Sequence, residues 1–258
     1  MYNKFIQDTF GLDGKVAMVT GGHTGIGRAI ANGLAKAGAD IFILTHSSKN
    51  IEEVRKEIES YGRKVVFGQA DLSKEEAAMD VVGQCVKSYG KIDILVNNAG
   101  TIRRAPLLEG SNEDWKEVIN LNLSAVYYIS KMAAKHMVEQ GSGKIVNIAS
   151  MLSFQGGKFV PSYTASKHGV AGLTKSFANE LAEKNIQINA IAPGYIATAN
   201  TAPIRADEKR SAEILGRIPA ARWGQPEDLA ATAVFLSSHG SDYMNGHVLC
   251  VDGGWLVR

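Results

Sequence analysis

The chain has 258 residues, 45% of them hydrophobic and 21% charged, which suits a globular protein able to bury a substantial core. Its 28 Lys and Arg against 26 Asp and Glu leave a formal net charge of +2, so the sequence carries neither the basic footprint of a nucleic-acid binder nor a membrane-surface patch. Residues 1–8 lack the apolar centre of a secretory signal and no run of about 18 apolar residues marks a membrane span, so the cytoplasm is the expected location.

The first strand is predicted at 16–20, an apolar run that ends in glycines. Helical spacing follows at 26–36, then a strand at 41–45, a charged amphipathic helix at 51–61, a strand at 64–70 and a helix at 74–89. A fourth strand is expected at 92–96, and a long helical region at 112–140 reads as two helices. The remaining elements are a strand at 144–149, a helix at 163–183, a strand at 186–192, a helix at 226–238 and a strand at 247–251. Strict strand–helix alternation with continuously apolar strands predicts a doubly wound α/β fold. Residues 1–258 are therefore expected to form a single Rossmann-type domain, with a seven-stranded, mainly parallel sheet and helices on both faces. The stretch 195–217 breaks this rhythm and is expected to be a lid. Cys85 and Cys250 share no metal-ligand spacing with the histidines; they read as buried structural thiols, and no metal site or disulfide is expected.

Directly after the first strand come Thr20, Gly21, Gly22, His23, Thr24, Gly25, Ile26 and Gly27. Glycines allow the tight turn and the close approach of phosphate to backbone, and the following helix N-terminus favours a pyrophosphate. Gly21, Thr24, Gly25, Ile26 and Gly27 are accordingly the expected phosphate cradle of a dinucleotide. Asp71 and Leu72, past the third strand, would face the same crevice; Asp71 reads either as an acceptor for the adenine amine or as a helix cap. Asn98, Ala99 and Gly100, past the fourth, read either as the ribose approach or, for Asn98, as a brace across strands. At the end of the second strand Thr45 stands where an acid often binds the ribose 2′-hydroxyl. No Asp, Glu or Arg occurs in 41–49, so Thr45 reads as a hydroxyl partner while His46 and Lys49 would tolerate a phosphate.

Ser150 lies just past the fifth strand, Tyr163 follows thirteen residues later, and Lys167 stands four residues beyond it. Positions four apart share a helix face, so the phenol and the ammonium address one bound substrate. The ammonium and a nicotinamide positive charge are expected to pull the phenol down by roughly three units from its ordinary value near ~10. Tyr127 and Lys131 repeat the spacing without a strand-end serine, and this pair reads as helix surface or packing. His168 is expected to face away.

These motifs together resemble the short-chain dehydrogenase/reductase family over essentially the whole chain. The resemblance implies Asn122, with Asn120 its neighbouring competitor, as a fourth catalytic member beside Ser150, Tyr163 and Lys167; it would support a helix kink and a water leading to the lysine. It also implies cofactor contacts from Pro193, Gly194, Ile196 and Thr198, as well as from Tyr163 and Lys167, and a homotetramer. Segments at 100–104, 147–157, 189–195, 204–215 and 251–255 are similar to a sugar-acid branch of that family. That branch implies reversible interconversion of 2-dehydro-3-deoxy-D-gluconate with its diketo acid in uronate breakdown, with NAD(H) favoured and NADP(H) left open. The alternatives are a gluconate 5-dehydrogenase and, less favoured, a 3-oxoacyl carrier-protein reductase. Arg103, Arg104 and Arg205 read as candidates for a substrate carboxylate, which a guanidinium grips through two parallel hydrogen bonds, or as surface and subunit contacts.

Overall fold

Alternation along each strand builds two cores. On β1 (Val16–Thr20), Ala17 and Val19 point to one face of the sheet and Val16 and Met18 to the other. The first face packs against Ile30 and Leu34 of α2 (Gly25–Lys36), Val54 and Ile58 of α3 (Ile51–Ser60), and Ala233 and Leu236 of α10 (Ala230–Ser237). The second packs against Val81 and Cys85 of α4 (Glu75–Tyr89), Ile129 and Met137 of α6 (Ala125–Gln140), and Ala178 of α7 (Pro161–Leu181).

The computed structural model describes residues 2–258; Met1, where the expected domain begins, lies outside them. The other strands are β2 (Asp40–Thr45), β3 (Val65–Gln69), β4 (Ile94–Asn97), β5 (Gly143–Ile148), β6 (Ile186–Pro193) and β7 (Val248–Val251). All seven are parallel, in the order β3-β2-β1-β4-β5-β6-β7. The chain winds outward from β1 to β3, then returns to place β4 on the other side of β1. This reversal opens a crevice above the carboxyl ends of β1 and β4, the place where such sheets bind ligands.

Several elements differ from the sequence reading. α1 (Tyr2–Phe10) was not foreseen; Phe10 packs at Gly240, where a Cβ would come within 2.8 Å of its ring. The long helical region is α5 (Asn112–Ile119) and α6, joined by a π-helical turn at Asn120–Ser124. α7 starts earlier than expected, with Pro161 in its first turn, where the missing N–H costs nothing. The last long helix begins as a 3-10 turn, Pro226–Leu229. Segment 195–217 contains a 3-10 turn (Ala199–Thr201), α8 (Ala202–Ala206) and α9 (Glu208–Arg217). Cys85 is buried as expected, but Cys250, on the edge strand β7, is exposed. Among the described residues no helix is long and apolar enough to cross a membrane, and no group of three His, Cys, Asp or Glu gathers as a metal site.

Candidate active site

The glycine loop leaves β1 through Gly21 (φ +65°) and enters α2 through Gly25 (φ +51°), a backbone region that side chains disfavour. Gly27 answers a different demand: a Cβ there would collide with the Gly21 carbonyl oxygen and Asn98 Nδ2. Thr24 caps α2 in an extended conformation, and its hydroxyl makes no cap bond to the first-turn amides. A bare, positively polarised helix end behind a glycine turn fits a pyrophosphate. Thr198 reaches the same loop, its methyl carbon 3.6 Å from where a Gly25 Cβ would stand.

The neighbouring strand ends close the floor of this crevice. Thr20 Oγ1 accepts from the Asn98 and Ala99 amides at 3.0 and 2.9 Å, and Asn98 Nδ2 donates to the Thr20 carbonyl at 3.0 Å. Of the two readings of Asn98, its side chain therefore takes the bracing one. Gly100 lies under Asn122, whose Oδ1 would be 3.2 Å from an added Cβ. Asp71 Oδ1 accepts from the Ser73 hydroxyl and amide, and these bonds lower its pKa. Leu72 beside it is buried. Pro193 ends β6, and Gly194 passes so close to Asp252 that a Cβ would come within 2.6 Å of its Cα. Ile196 is buried and bridges to Gly224.

Thr45 corrects the sequence reading. Its hydroxyl donates to the Ser47 carbonyl at 2.7 Å and accepts from the Ser47 amide at 3.0 Å. The side chain is 3% exposed and closes its own turn, so it is no hydroxyl partner for a ribose.

Across the crevice, Ser150, Tyr163, Lys167 and Asn122 come together. Ser150 Oγ accepts from the Leu152 amide at 3.1 Å, which leaves its own proton free to be donated. Lys167 is 5% exposed; Nζ donates to the Ile148 carbonyl at 2.6 Å and lies 5.5 Å from the Tyr163 ring centroid. Asn122 is wholly buried in the π-helical turn; its Oδ1 accepts from the Thr101 amide and its Nδ2 donates to the Thr101 carbonyl, both at 2.9 Å. Nδ2 also reaches Ser166 Oγ at 3.3 Å, and Ser166 donates to the Tyr163 carbonyl. Asn122 thus ties the loop after β4 to the helix that carries Tyr163, while Asn120 is exposed. The wide turn stands where the family resemblance implies a helix kink, and such turns recur at functional sites.

The charge balance differs from expectation. Burial raises the Tyr163 phenol above its ordinary value, while the Ser150 hydroxyl and the Arg104 charge pull it down. The Lys167 Nζ lies over the ring and donates to a carbonyl rather than to the hydroxyl. Burial lowers Lys167 itself to about 8. A lysine whose folded pKa is depressed costs stability at every pH where the unfolded chain holds its proton more firmly. That cost is complete below about pH 8, shrinks as pH rises, and vanishes above 10.5. Its size is on the order of 3 kcal/mol. Urea unfolding without cofactor should show the wild type gaining this much relative to Lys167→Met between pH 8 and pH 10.5; a pH-independent difference would contradict a buried ammonium.

The three arginines separate. Arg103 grips Glu117 through Nε at 2.9 Å and NH2 at 2.5 Å, with Asp114 at 3.4 Å, so the first candidate for a substrate carboxylate is already paired. Arg205 is exposed on α8 and donates to the Thr198 carbonyl at 3.1 Å. Arg104 donates once, to the Asn200 carbonyl at 3.2 Å, and forms no ion pair among the described residues. Its charge reaches the phenols of Tyr163 and Tyr195.

Tyr127 and Lys131 face outward, the ammonium 5.8 Å over the ring, and His168 is exposed, its ring nitrogen 3.0 Å from the Thr164 carbonyl. Sequence reasoning missed two features. Tyr195 sits against Trp223 and Trp255 at 5.4 and 4.8 Å, and Ile214 and Ile218 join Trp255 and Met151, so segment 195–217 is seated on the C-terminus and on the residue after Ser150. His23, inside the glycine loop, is 3% exposed. A histidine amid loop glycines was the available signal for the second; nothing local marked the first.

Residues 15–209 match the short chain dehydrogenase family. The 2-dehydro-3-deoxy-D-gluconate 5-dehydrogenase of Bacillus subtilis is 55% identical over 254 residues, 98% of this chain and 99% of that one. The gluconate 5-dehydrogenase of Gluconobacter oxydans is 42% identical, over 97% and 98% of the two chains. A crystal structure from Agrobacterium tumefaciens with bound NADP, provisionally assigned as a 2-deoxy-D-gluconate 3-dehydrogenase, is 51% identical; it covers 97% of this chain and 100% of its own with a TM-score of 0.92. With the glycine cradle at the sheet's switch point and Tyr163 and Lys167 across it, these likenesses show that the chain belongs to the short-chain dehydrogenase family of nicotinamide-dependent oxidoreductases acting on a hydroxyl group.

Proposed function

We propose that the chain interconverts 2-dehydro-3-deoxy-D-gluconate and 2,5-didehydro-3-deoxy-D-gluconate in uronate catabolism, with Ser150, Tyr163, Lys167 and Asn122 as its catalytic set. The observation that carries the sugar-acid reading is Arg104, a guanidinium without an ion-pair partner among the described residues whose charge reaches the Tyr163 phenol. A carboxylate held there places the other end of a short polyol acid beside the phenol. The identity of the acid is supported by the 55% relative, which matches along its whole length.

A bound nicotinamide would supply the hydride chemistry, as acceptor in oxidation and donor in reduction, and the positive charge of its oxidised form would favour the phenolate. Tyr163 takes the hydroxyl proton in oxidation and returns it in reduction. Ser150 donates its free proton to the reacting oxygen and orients it. Lys167 holds a positive charge over the ring face, and Asn122 keeps the lysine helix in register with the loop after β4. Segment 195–217 acts as a lid, latched to the site edge by the bond from Arg104 to Asn200.

The test follows nicotinamide absorbance with 2-dehydro-3-deoxygluconate, gluconate and 5-ketogluconate. Highest kcat/KM on the first is expected. Turnover of the other two alone would reassign the chain as a gluconate 5-dehydrogenase, and turnover of acyl thioesters alone would overturn the sugar-acid reading. Arg104→Gln should lower kcat/KM about 30-fold or more, chiefly through KM, as expected for loss of a charged hydrogen bond. An equal loss on a neutral alcohol substrate would remove Arg104 from carboxylate binding.

The chain acts in the cytoplasm as a homotetramer in this reading. Its cysteines are unpaired, which fits a reducing compartment. An apolar groove of about 590 Å³ between α6 and α7, lined by Tyr127, Ala134, Val138, Phe177 and Leu181, offers a subunit contact. Light scattering tests the assembly; a monomer at micromolar concentration would overturn it.

A further inference from the structure

The carboxyl end of β6 stands beside that of β5: Ile191 pairs with Ile148, and its carbonyl accepts from the Ala149 amide at 2.7 Å. Ser150 and Met151 follow one strand end, and Gly194 and Tyr195 the other. The backbone of Tyr195 is held in place. The Gly194 amide donates to the Val251 carbonyl at 3.0 Å, and the Tyr195 carbonyl accepts from the Gly224 amide at 2.9 Å. The segment beyond it touches both sides of the crevice, the glycine turn through Thr198 and Arg104 through the Asn200 carbonyl. Tyr195 therefore stands on the wall that runs from the Ser150 end of the crevice to Arg104.

Aromatic neighbours orient its side chain. The ring meets Trp223 and Trp255 edge-on, at 5.4 and 4.8 Å with interplanar angles of 81° and 71°. Trp255 is buried, lies under the Arg217 guanidinium at 4.1 Å, and shares an apolar cluster with Met151. Tyr195 itself is half-buried, and its hydroxyl takes no hydrogen bond among the described residues. Burial raises the phenol's pKa against the pull of the Arg210, Arg217 and Arg104 charges, so the hydroxyl keeps its proton and remains a donor. A tyrosine seated this firmly with a spare donor is suited to recognition, one end apolar and the other polar.

The chemistry of the acid meets both ends. A 2-keto-3-deoxy acid carries only acceptors on its first two carbons and a bare methylene at carbon 3. A phenol hydroxyl satisfies an acceptor, and an aromatic ring packs against a methylene. A hydroxyl on carbon 3 would exchange water for that ring and lose a hydrogen bond. We propose that Tyr195 is a specificity-determining residue whose hydroxyl donates to the keto-acid end of the substrate and whose ring faces carbon 3, so that the chain prefers a 3-deoxy acid to its 3-hydroxy analogue. This rests on the sugar-acid reading, with the carboxylate at Arg104 and carbon 5 at Tyr163.

Two acids that differ only at carbon 3 test it. Both 2-dehydro-3-deoxy-D-gluconate and 2-dehydro-D-gluconate present a hydroxyl at carbon 5, and nicotinamide absorbance reads the oxidation of each. The wild type should prefer the first in kcat/KM by about tenfold or more. Tyr195→Asn exchanges the ring for an amide able to meet a hydroxyl, and should bring the two acids to within about twofold of each other. Tyr195→Phe keeps the ring and so keeps the preference. It should raise KM about tenfold on both acids with kcat within about twofold of wild type, as for loss of a hydrogen bond to a charged group. A residue that only held the lid would lower turnover of both acids by one factor and leave their ratio in place. Thermal unfolding reports whether each variant folds, and Tyr195→Phe decides alone if Tyr195→Asn does not. Equal use of the two acids by the wild type, a preference that survives in folded Tyr195→Asn, or an unchanged KM in Tyr195→Phe overturns the proposal, while turnover of the deoxy acid leaves the sugar-acid reading intact. No turnover of either acid by wild type that still binds nucleotide would sink both.

Discussion

Tyr163→Phe is expected to lower kcat by about 10³-fold while cofactor affinity and melting temperature stay near wild type. The substitution removes one oxygen and keeps the ring, which lies under the Lys167 ammonium and stays half-buried. The hydroxyl's hydrogen-bond partner in the scaffold is Ser150, so the fold loses little. What disappears is the group proposed to exchange a proton with the substrate oxygen. Tyr127→Phe is the control. It has the same four-residue spacing to a lysine, but its ring lies on an exposed groove whose lining does not include Ser150, and loss of its hydroxyl should leave turnover unchanged. Steady-state kinetics with nucleotide fluorescence reads both variants. Near-normal turnover in Tyr163→Phe would remove the proposed acid–base residue.

The second large effect is at the cofactor. Gly27→Ala adds a single carbon, but it must collide with the Gly21 carbonyl oxygen and the Asn98 amide nitrogen. Neither is free to yield. Gly21 holds the turn at φ +65°, and Asn98 Nδ2 braces β4 to the end of β1. Overpacking of this kind costs about 1–3 kcal/mol in a rigid interior. Most of the relief available is to push the loop out into the crevice where the pyrophosphate would lie. Nucleotide affinity should therefore fall roughly 100-fold, more than stability does, because 2.7 kcal/mol is about that factor. Titration of nucleotide fluorescence, with thermal unfolding alongside, separates the two. Unchanged affinity would mean that the dinucleotide does not rest on this loop. Gly62 offers the contrast: its positive φ serves a surface turn with nothing within 4 Å of an added Cβ, so Gly62→Ala should cost stability alone.

Much of this was readable in advance because it is local. The strands buried on both faces show as unbroken apolar runs, and the tight turn from β1 into α2 shows as glycines. Tyr163 and Lys167 share a helix face by spacing alone. Where the sequence erred, the reason was a partner far along the chain. Arg103 and Arg104 are adjacent and chemically identical, yet only Arg103 meets Glu117, fourteen residues on and brought over by α5. Thr45 carries a hydroxyl suited to a ribose, but the turn that follows folds Ser47 back onto it.

The amino-acid order therefore determined the architecture, the glycine turn after β1 and the placing of Tyr163 and Lys167 on one helix face, because periodicity, backbone freedom and helical spacing act over a few residues. The tertiary structure decided which polar groups remain unpaired and so stay available to a ligand. It freed Arg104 and engaged Arg103, closed Thr45 on its own turn, turned Asn98 into a brace, and set His23 under Ser47. It also set the charge on the pair itself, since Lys167 is lowered to about 8 by burial that no spacing rule contains. Hydrogen bonding and desolvation are properties of what surrounds a side chain, and most of those surroundings arrive from distant parts of the chain.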